Sequence, residues 1–218
     1  AALPYRQTVG TMMMFVLIPP YLLAMMALMH RRTQSAVDAL ASISDADATQ
    51  RAHASLDRLP ALGSALTILV MALFGIIQNG RILNTMIDSG SVSLLDVVFL
   101  SGNTLIWIVV GFLLSWRIPA SLSLVRFGRG LTLDIYRLDV LQPLARISTG
   151  DLLTAMGALG LSTLQSLDAQ IRMDNYAPAF VVAGISGMLL FLLPLWGVRA
   201  NIIDRKARRI AEINAALE

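Results

Sequence analysis

The sequence predicts an all-α, polytopic membrane protein with about five transmembrane helices and further amphipathic helices on the cytoplasmic side. Three observations predict this class. Only 14% of the 218 residues are charged, whereas soluble domains average about 25%. Uncharged apolar runs of the length that crosses ~30 Å of hydrocarbon recur along the chain. Arginine and lysine residues cluster in alternate segments between these runs, as the positive-inside rule expects.

Five spans follow from the gaps between ionisable residues. Four of them are uncharged throughout and cover residues 9–29, 59–80, 97–116 and 175–198. The remaining one, 147–167, is rich in Gly, Ser and Thr and reaches spanning length only by including Asp151. A re-entrant or interfacial helix is the alternative for that segment. Residues 1–198 are therefore predicted as a transmembrane domain, and residues 199–218 as a charged cytoplasmic helix.

The basic residues predict the orientation of these spans. Of the 17 Lys and Arg residues, 14 fall between the first two spans, between the third and fourth, and after the fifth. Because basic loops remain on the cytoplasmic side, we expect the N-terminus outside and the C-terminus inside a bacterial inner (plasma) membrane. Four spans would break this alternation at the tail. An odd number of spans that starts outside also predicts a further span, or a removed signal peptide, upstream of Ala1.

Composition and motifs argue against several function classes. There is no cysteine, so disulfides and thiol catalysis are excluded. The net charge of +3 is interpreted as loop charge rather than as a nucleic-acid surface. The sequence lacks G-x-S-x-G, H-E-x-x-H and the glycine-rich phosphate and dinucleotide motifs, so neither an enzyme nor a cofactor is predicted. The two histidines, His30 and His53, have no carboxylate at helical ligand spacing, and no metal site is predicted.

Polar groups inside the spans are the first set of candidate functional residues. Ser101, Asn103 and Thr104 lie about two turns from the outer end of the third span, and Asp151 lies near the inner end of the fourth. Such groups are costly in hydrocarbon unless they are paired, so they indicate either a polar pathway or hydrogen bonds between helices. For Asp151 the structural alternatives are pairing with Arg146, contact with headgroup water, or a favourable position near a helix start.

Prolines and small residues form a second set. Pro19 and Pro20 in the first span and Pro194 in the fifth remove backbone donors, and they predict either structural kinks or gating hinges. Small residues between 157 and 162, and "GISG" at 184–187, offer faces for close helix packing within the chain or in an oligomer. Trp116 and Trp196 are predicted to anchor the inner interface.

The cytoplasmic segments predict helices and lipid contacts. Residues 30–58 form a helical hairpin or one broken helix, with "SDAD" at 44–47 as an N-cap. Candidate contacts to anionic headgroups, with topogenic charge as the alternative, are Arg126, Arg129, Arg137, Arg146 and Arg199. In the tail, Ile203, Ile210 and Leu217 recur every seven residues, which is typical of one coiled-coil seam and predicts self-association.

Two stretches, "FLLPLWGVRANIIDRKARRIAEINAALE" and "LDIYRLDVLQPLARI", resemble a family of uncharacterised prokaryotic multi-span membrane proteins. The resemblance covers the C-terminal third and implies architecture without an activity. The polar and kinked spans favour a channel- or transporter-like module. The alternatives are a signal-transducing sensor domain and a structural subunit of a membrane complex. The predicted partners are the bilayer, its anionic lipids, and either further copies of the chain or a larger complex.

Overall fold

All regular elements in the described part of the chain are helical. The computed structural model describes residues 9–57, 61–89, 93–131, 141–168 and 177–217. Within these ranges the α-helices are α1 (Val9–Leu40), α2 (Ala46–Leu56), α3 (Ala61–Gln78), α4 (Gly80–Ser89), α5 (Leu94–Gly130), α6 (Gln142–Ser162) and α7 (Ala177–Leu217). Short 3₁₀ turns at Ala41–Ile43 and Thr163–Leu167 follow α1 and α6. The all-α class predicted from the sequence is thus what the described residues adopt.

Three helical segments are long and apolar enough to cross a membrane, which is fewer than the five predicted. They are Val9–Ile43, Leu94–Gly130 and Ala177–Ala215. The second predicted span corresponds to α3, whose apolar part, Gly63–Gln78, is shorter than 18 residues and so covers less than ~27 Å. The fourth corresponds to α6. That helix begins at Gln142 and includes Arg146 and Asp151, which lower its hydropathy.

The three long helices continue well past the predicted ends of their spans. α1 has 32 residues, α5 has 37 and α7 has 41. At 1.5 Å per residue these lengths are about 48–62 Å, against ~30 Å of hydrocarbon. Much of the sequence after each uncharged run is therefore helix rather than loop. After α1 the chain makes its 3₁₀ turn, and α2 begins after the N-cap residue Asp45, at the position that the "SDAD" motif predicts, but the Asp45 side chain makes no capping hydrogen bond.

The chain divides into two compact units. Unit 1 comprises Ala1–Ala27, Leu59–Trp116 and Thr154–Ser186, and unit 2 comprises Leu28–Arg58, Arg117–Leu153 and Gly187–Glu218. The chain passes from one unit to the other five times. Four of these passages fall within α1, α5, α6 and α7.

Basic residues are concentrated in unit 2. Four of the 17 Lys and Arg residues, Arg6, Arg58, Arg137 and Arg172, lie outside the described residues. Of the other 13, Arg81 belongs to unit 1 and the remaining 12 belong to unit 2. The segments that the charge pattern predicts to share one side of the membrane are therefore the segments that fold together in one unit.

Unit 2 has a hydrophobic core of its own. α1 contributes Val37 and Leu40, α2 contributes Leu56, and α5 contributes Leu124 and Phe127, all at most 3% exposed. α6 and α7 complete the core with Leu144, Ile147 and Val198. Burial of this kind is the driving force that folds water-soluble proteins. Its presence indicates that unit 2 is stabilised by packing in its own right.

Unit 1 presents many apolar side chains outward. Along α3, the side chains of Leu66, Leu69, Val70, Leu73 and Ile77 are between 49% and 73% exposed. Only 17–28% of the apolar windows of the three long helices is buried. A surface of this composition is unfavourable in water and favourable against lipid tails.

A buried ion pair as the candidate functional site

The most deeply buried polar cluster in unit 2 consists of Thr33, Arg117 and Asp151. Their residues are 0%, 0% and 2% exposed. Each comes from a different helix: Thr33 from α1, Arg117 from α5 and Asp151 from α6. Arg117 is carried into the interior because α5 continues as helix for 13 residues beyond it, to Gly130.

The guanidinium of Arg117 binds Asp151 through a bidentate arrangement. Its Nε donates to both carboxylate oxygens at 3.0 Å, and its Nη2 donates to Oδ2 at 2.6 Å. Its Nη1 donates to the hydroxyl of Thr33 at 3.1 Å. That hydroxyl in turn donates to the carbonyl oxygen of Met29 at 2.8 Å. The planar fork of arginine suits such a carboxylate partner better than lysine would.

The electrostatics of this cluster are balanced. One positive and one negative charge are removed from solvent together, with side-chain exposures of 0% and 1%. Desolvation of the two ions is costly, and their mutual attraction and hydrogen bonds offset that cost only while both are present. These contacts therefore connect α1, α5 and α6 at a single point, and the connection depends on both charges.

A serine on the same helix adds a polar group to this region. Ser121 lies four residues after Arg117 on α5 and is 0% exposed. Its Oγ has no hydrogen-bond partner among the described residues. Ser148, on α6 and also 0% exposed, donates instead to the carbonyl of Leu144 at 3.3 Å. A buried hydroxyl without such a partner is unfavourable.

A second set of polar contacts in unit 2 joins the end of α5 to α7. The amide nitrogen of Asn201 donates to the carbonyl oxygens of Gly128 and Leu131, at 3.1 and 2.8 Å. Arg205, one turn later, donates to Leu131 O and to the side-chain oxygen of Asn201, both at 2.9 Å. The last carbonyls of a helix have no partner within it, so α7 satisfies the C-terminus of α5.

Close backbone approach brings these two helices together. A Cβ at Gly197 would collide with the backbone carbonyl of Val125, and one at Gly128 would lie 3.2 Å from the backbone nitrogen of Val198. Glycine at both positions lets α5 and α7 pack at backbone distance, as small residues do between membrane helices.

In unit 1, a carboxylate from a distant part of the sequence caps the start of α1. The carboxylate of Asp168 accepts hydrogen bonds from the backbone nitrogens of Gly10 and Thr11, at 2.7 and 2.9 Å, and from the Thr11 hydroxyl at 2.5 Å. A negative charge at a helix N-terminus satisfies orphan amides and complements the helix dipole. Gly10 is required there, because a Cβ would collide with the carbonyl of Leu164.

The other polar residues predicted as candidates in the spans bond within or between helices of unit 1. The Asn103 amide donates to the carbonyl of Gly75 at 3.3 Å, which links α5 to α3. Ser101 and Thr104 donate to carbonyls four residues earlier on α5, both at 2.7 Å. Asp151 belongs to unit 2, so these four candidates do not form one cluster within either unit. Arg146 is exposed, and the residue that pairs with Asp151 is Arg117.

The three candidate hinge prolines all lie inside continuous helices. Pro19 and Pro20 are within α1, and Pro194 is within α7. Pro19 is buried and Pro20 is exposed, whereas Pro194 is among the fully buried side chains. Hinge motion at these residues stays a prediction.

The candidate headgroup arginines lie on the surface of unit 2. Arg126, Arg129, Arg146 and Arg199 are exposed, and Arg137 lies outside the described residues. The guanidinium carbon of Arg199 lies 5.9 Å from the centre of the Trp196 ring. Trp196 is 56% exposed, whereas Trp116 is only 8% exposed. Trp116 is therefore a packed residue and not the anchor that its position beside Arg117 predicts.

The residues that form the buried ion pair and the main hydrogen bonds between helices are not evident from the sequence. The charge pattern assigns Arg117 to a basic loop because it is the first charge after an uncharged run, and it does not point to Thr33, Asp168 or Asn201. The stretch from Arg117 to Arg126 contains no glycine, but Pro119 within it argues against a continuous helix. The sequence therefore does not indicate that Arg117 lies inside a helix, where it can be buried.

The comparisons with known proteins add no relative to this picture. No family model, no curated protein and no solved structure matches the chain. Among the described residues, no three His, Asp or Glu side chains are grouped in a way that could hold a metal ion. His53 instead lies 3.0 Å from the carboxylate of Asp38.

Proposed function

We propose that this chain is a signal-transducing domain of an integral membrane protein, in which unit 2 couples the membrane spans to the cytoplasmic end of α7. The observation that carries the proposal is the continuity of α7. It runs as one helix from Ala177 to Leu217, and every described side chain from Lys206 onward is exposed. A continuous helix that begins in an apolar span and ends as an exposed charged segment is suited to carry a displacement out of the membrane.

The proposed topology has five crossings, with the N-terminus outside and the basic residues of unit 2 on the cytoplasmic side. The five runs of about spanning length that carry at most one charge support this number. The location of 12 of the 13 described basic residues in unit 2 supports the orientation. α3 and α6 then cross as the shorter or more polar members of the bundle.

A single helix, α5, connects the buried ion pair of unit 2 to the hydrogen bonds made by Asn201. At Arg117 it is bound to α1 and α6, and at its C-terminus it is bound to α7 through Asn201. The 13 residues between Arg117 and Gly130 span about 20 Å of helix. Shifts of about 1–2 Å between packed helices are a common way to transmit a signal. A change at the ion pair that moves α5 therefore moves the segment of α7 attached to its end.

The coupling can be tested with spin labels because the chain contains no cysteine. Labels at Gln50→Cys on α2 and Arg208→Cys on α7, both exposed, report a distance within unit 2 in liposomes. We expect Asp151→Asn to shift or broaden that distance distribution. Glu212→Gln removes an equivalent charge from an exposed site and should leave it unchanged. Identical distributions in folded Asp151→Asn and wild-type protein would reject the coupling.

The topology has its own test. An impermeant maleimide applied to intact cells should label Ser93→Cys, in the unit 1 segment before α5, and should label Lys206→Cys only after permeabilisation. Labelling of Lys206→Cys in intact cells would place the end of α7 outside the cell. That result would contradict both the proposed orientation and a signal output in the cytoplasm.

A channel- or transporter-like module is the second candidate, and the buried Arg117–Asp151 pair is the observation that favours it. Ionisable residues within membrane helices are often part of proton or ion routes. In proteoliposomes this function predicts a proton or potassium flux that Asp151→Asn abolishes and Glu212→Gln preserves. Wild-type vesicles as tight as protein-free ones would reject it.

A further inference from the structure

Unit 2 carries an apolar groove between the start of α6 and the inner part of α7. Its volume is about 420 Å³, within the range of roughly 300–1,000 Å³ that is usual for ligand sites. The residues that line it include Leu141, Leu144, Ala145, Val198, Arg199 and Ile202. Gln142 and the cation Arg199 are the polar residues of the lining, and the other lining residues are hydrophobic.

The position of that cation places the groove at the level of lipid headgroups. Arg199 is the first charged residue after the uncharged run of 175–198. The exposed ring of Trp196, which contacts the Arg199 guanidinium, is the side chain expected at the membrane interface. On the opposite wall, Arg146 directly follows Ala145 and is exposed. An apolar surface beside cations at this depth matches an amphiphile whose charge is negative.

We propose that this groove binds one anionic phospholipid, with part of an acyl chain against Leu144 and Val198 and the phosphate paired with Arg199. The basic character of unit 2 supplies the charge complementarity, and the bilayer supplies the ligand at high local concentration. The proposal requires only that the chain is embedded in a membrane, and it does not depend on which function above is correct.

Native mass spectrometry of the detergent-purified protein tests the site, with phosphatidylglycerol and phosphatidylcholine as probes. We expect wild-type protein to retain phosphatidylglycerol in preference to phosphatidylcholine. Arg199→Gln should weaken phosphatidylglycerol binding on the order of tenfold, the loss expected for one charge-assisted hydrogen bond. Ala145→Phe fills the groove and should weaken both lipids. Inorganic phosphate should not displace the bound lipid, because the acyl chain supplies much of the contact.

Two matched variants separate this site from general effects of charge and bulk. Arg209→Gln removes a cation from the exposed tail, and Ala211→Phe adds the same ring at an exposed position. Both should bind phosphatidylglycerol like wild type. Size-exclusion chromatography selects folded protein, and Ala145→Leu replaces Ala145→Phe if the larger ring prevents folding. Equal losses in Arg199→Gln and Arg209→Gln, no preference between the two lipids in wild type, or displacement by phosphate would each overturn the proposal.

Discussion

Removal of one charge from the Arg117–Asp151 pair should destabilise the protein far more than removal of both. Asp151→Asn preserves the shape of the side chain but leaves the guanidinium of Arg117, 0% exposed, without a counter-charge. Breaking a buried pair in this way costs about 3–5 kcal/mol. Domains of this size are stable by only about 5–15 kcal/mol, so the single variant should lose a large share of its free energy of unfolding.

The double variant Arg117→Met/Asp151→Leu should recover most of that loss. Both charges are then replaced by apolar groups of similar volume, a change that is often neutral or stabilising. The hydroxyl of Thr33 keeps its hydrogen bond to the Met29 carbonyl. We expect the double variant to be within about 1–2 kcal/mol of wild type, and more stable than either single variant.

Thermal unfolding in a mild detergent, followed by intrinsic fluorescence and size exclusion, measures these differences. For a chain of this length about 1 kcal/mol corresponds to roughly 2–4 °C, so Asp151→Asn should lower the Tm by about 6–20 °C. Arg209→Gln breaks a pair with Glu212 whose side chains are 71% and 65% exposed, and should cost about 1 kcal/mol at most. A double variant as unstable as the sum of its single variants would refute the reasoning that the buried charges matter chiefly to each other.

Three further substitutions test the contacts between α5 and α7 and the cap of α1. Gly197→Val places side-chain atoms against the carbonyl of Val125 and should cost about 1–3 kcal/mol, measured by the same thermal assay. Asn201→Ala removes two hydrogen bonds to the end of α5; we expect a loss of about 1–3 kcal/mol and faster hydrogen exchange at that end. Asp168→Ala removes the cap of α1 and should cost about 1–2 kcal/mol, with exchange increased at Gly10.

Each of these variants has a matched control. Gly160→Ala adds a methyl group where nothing lies within 4 Å and should be neutral or slightly stabilising. Asp204→Ala changes an exposed side chain on the same helix as Asn201. Asp45→Ala alters an N-cap residue whose side chain makes no capping hydrogen bond. If any control costs as much as its test variant, the contact in question is not what stabilises that region.

The positions of the long apolar helices along the chain are largely predictable from the sequence. Uncharged runs and the charged segments between them differ because the first are suited to lipid and the second to water. The uncharged runs 9–29, 97–116 and 175–198 coincide with the three long apolar helices, apart from the first residues of the last run. Where those helices end is not predictable from the same signal. α1, α5 and α7 continue into charged sequence because packing in unit 2, around Leu40 and Leu124, stabilises helix there.

The candidate site is predictable only in part. Asp151 is recognisable as an acid near a span, but the partner that the sequence suggests for it is Arg146, five residues earlier on the same helix. Residues that face one another on a helix are three or four apart, and the residue that pairs with Asp151 is 34 positions away on α5. A pairing at that distance is set by how helices pack, and no local pattern around Arg117 encodes it.

The cap at the start of α1 has a consequence for biogenesis. Asp168 is synthesised 158 positions after Gly10, whose amide donates to its carboxylate. Until Asp168 has been synthesised, the amides of Gly10 and Thr11 lack this acceptor, a state that helix ends tolerate only with water or another partner. The cap of α1 can therefore form only after α6 and the 3₁₀ turn that follows it have been synthesised.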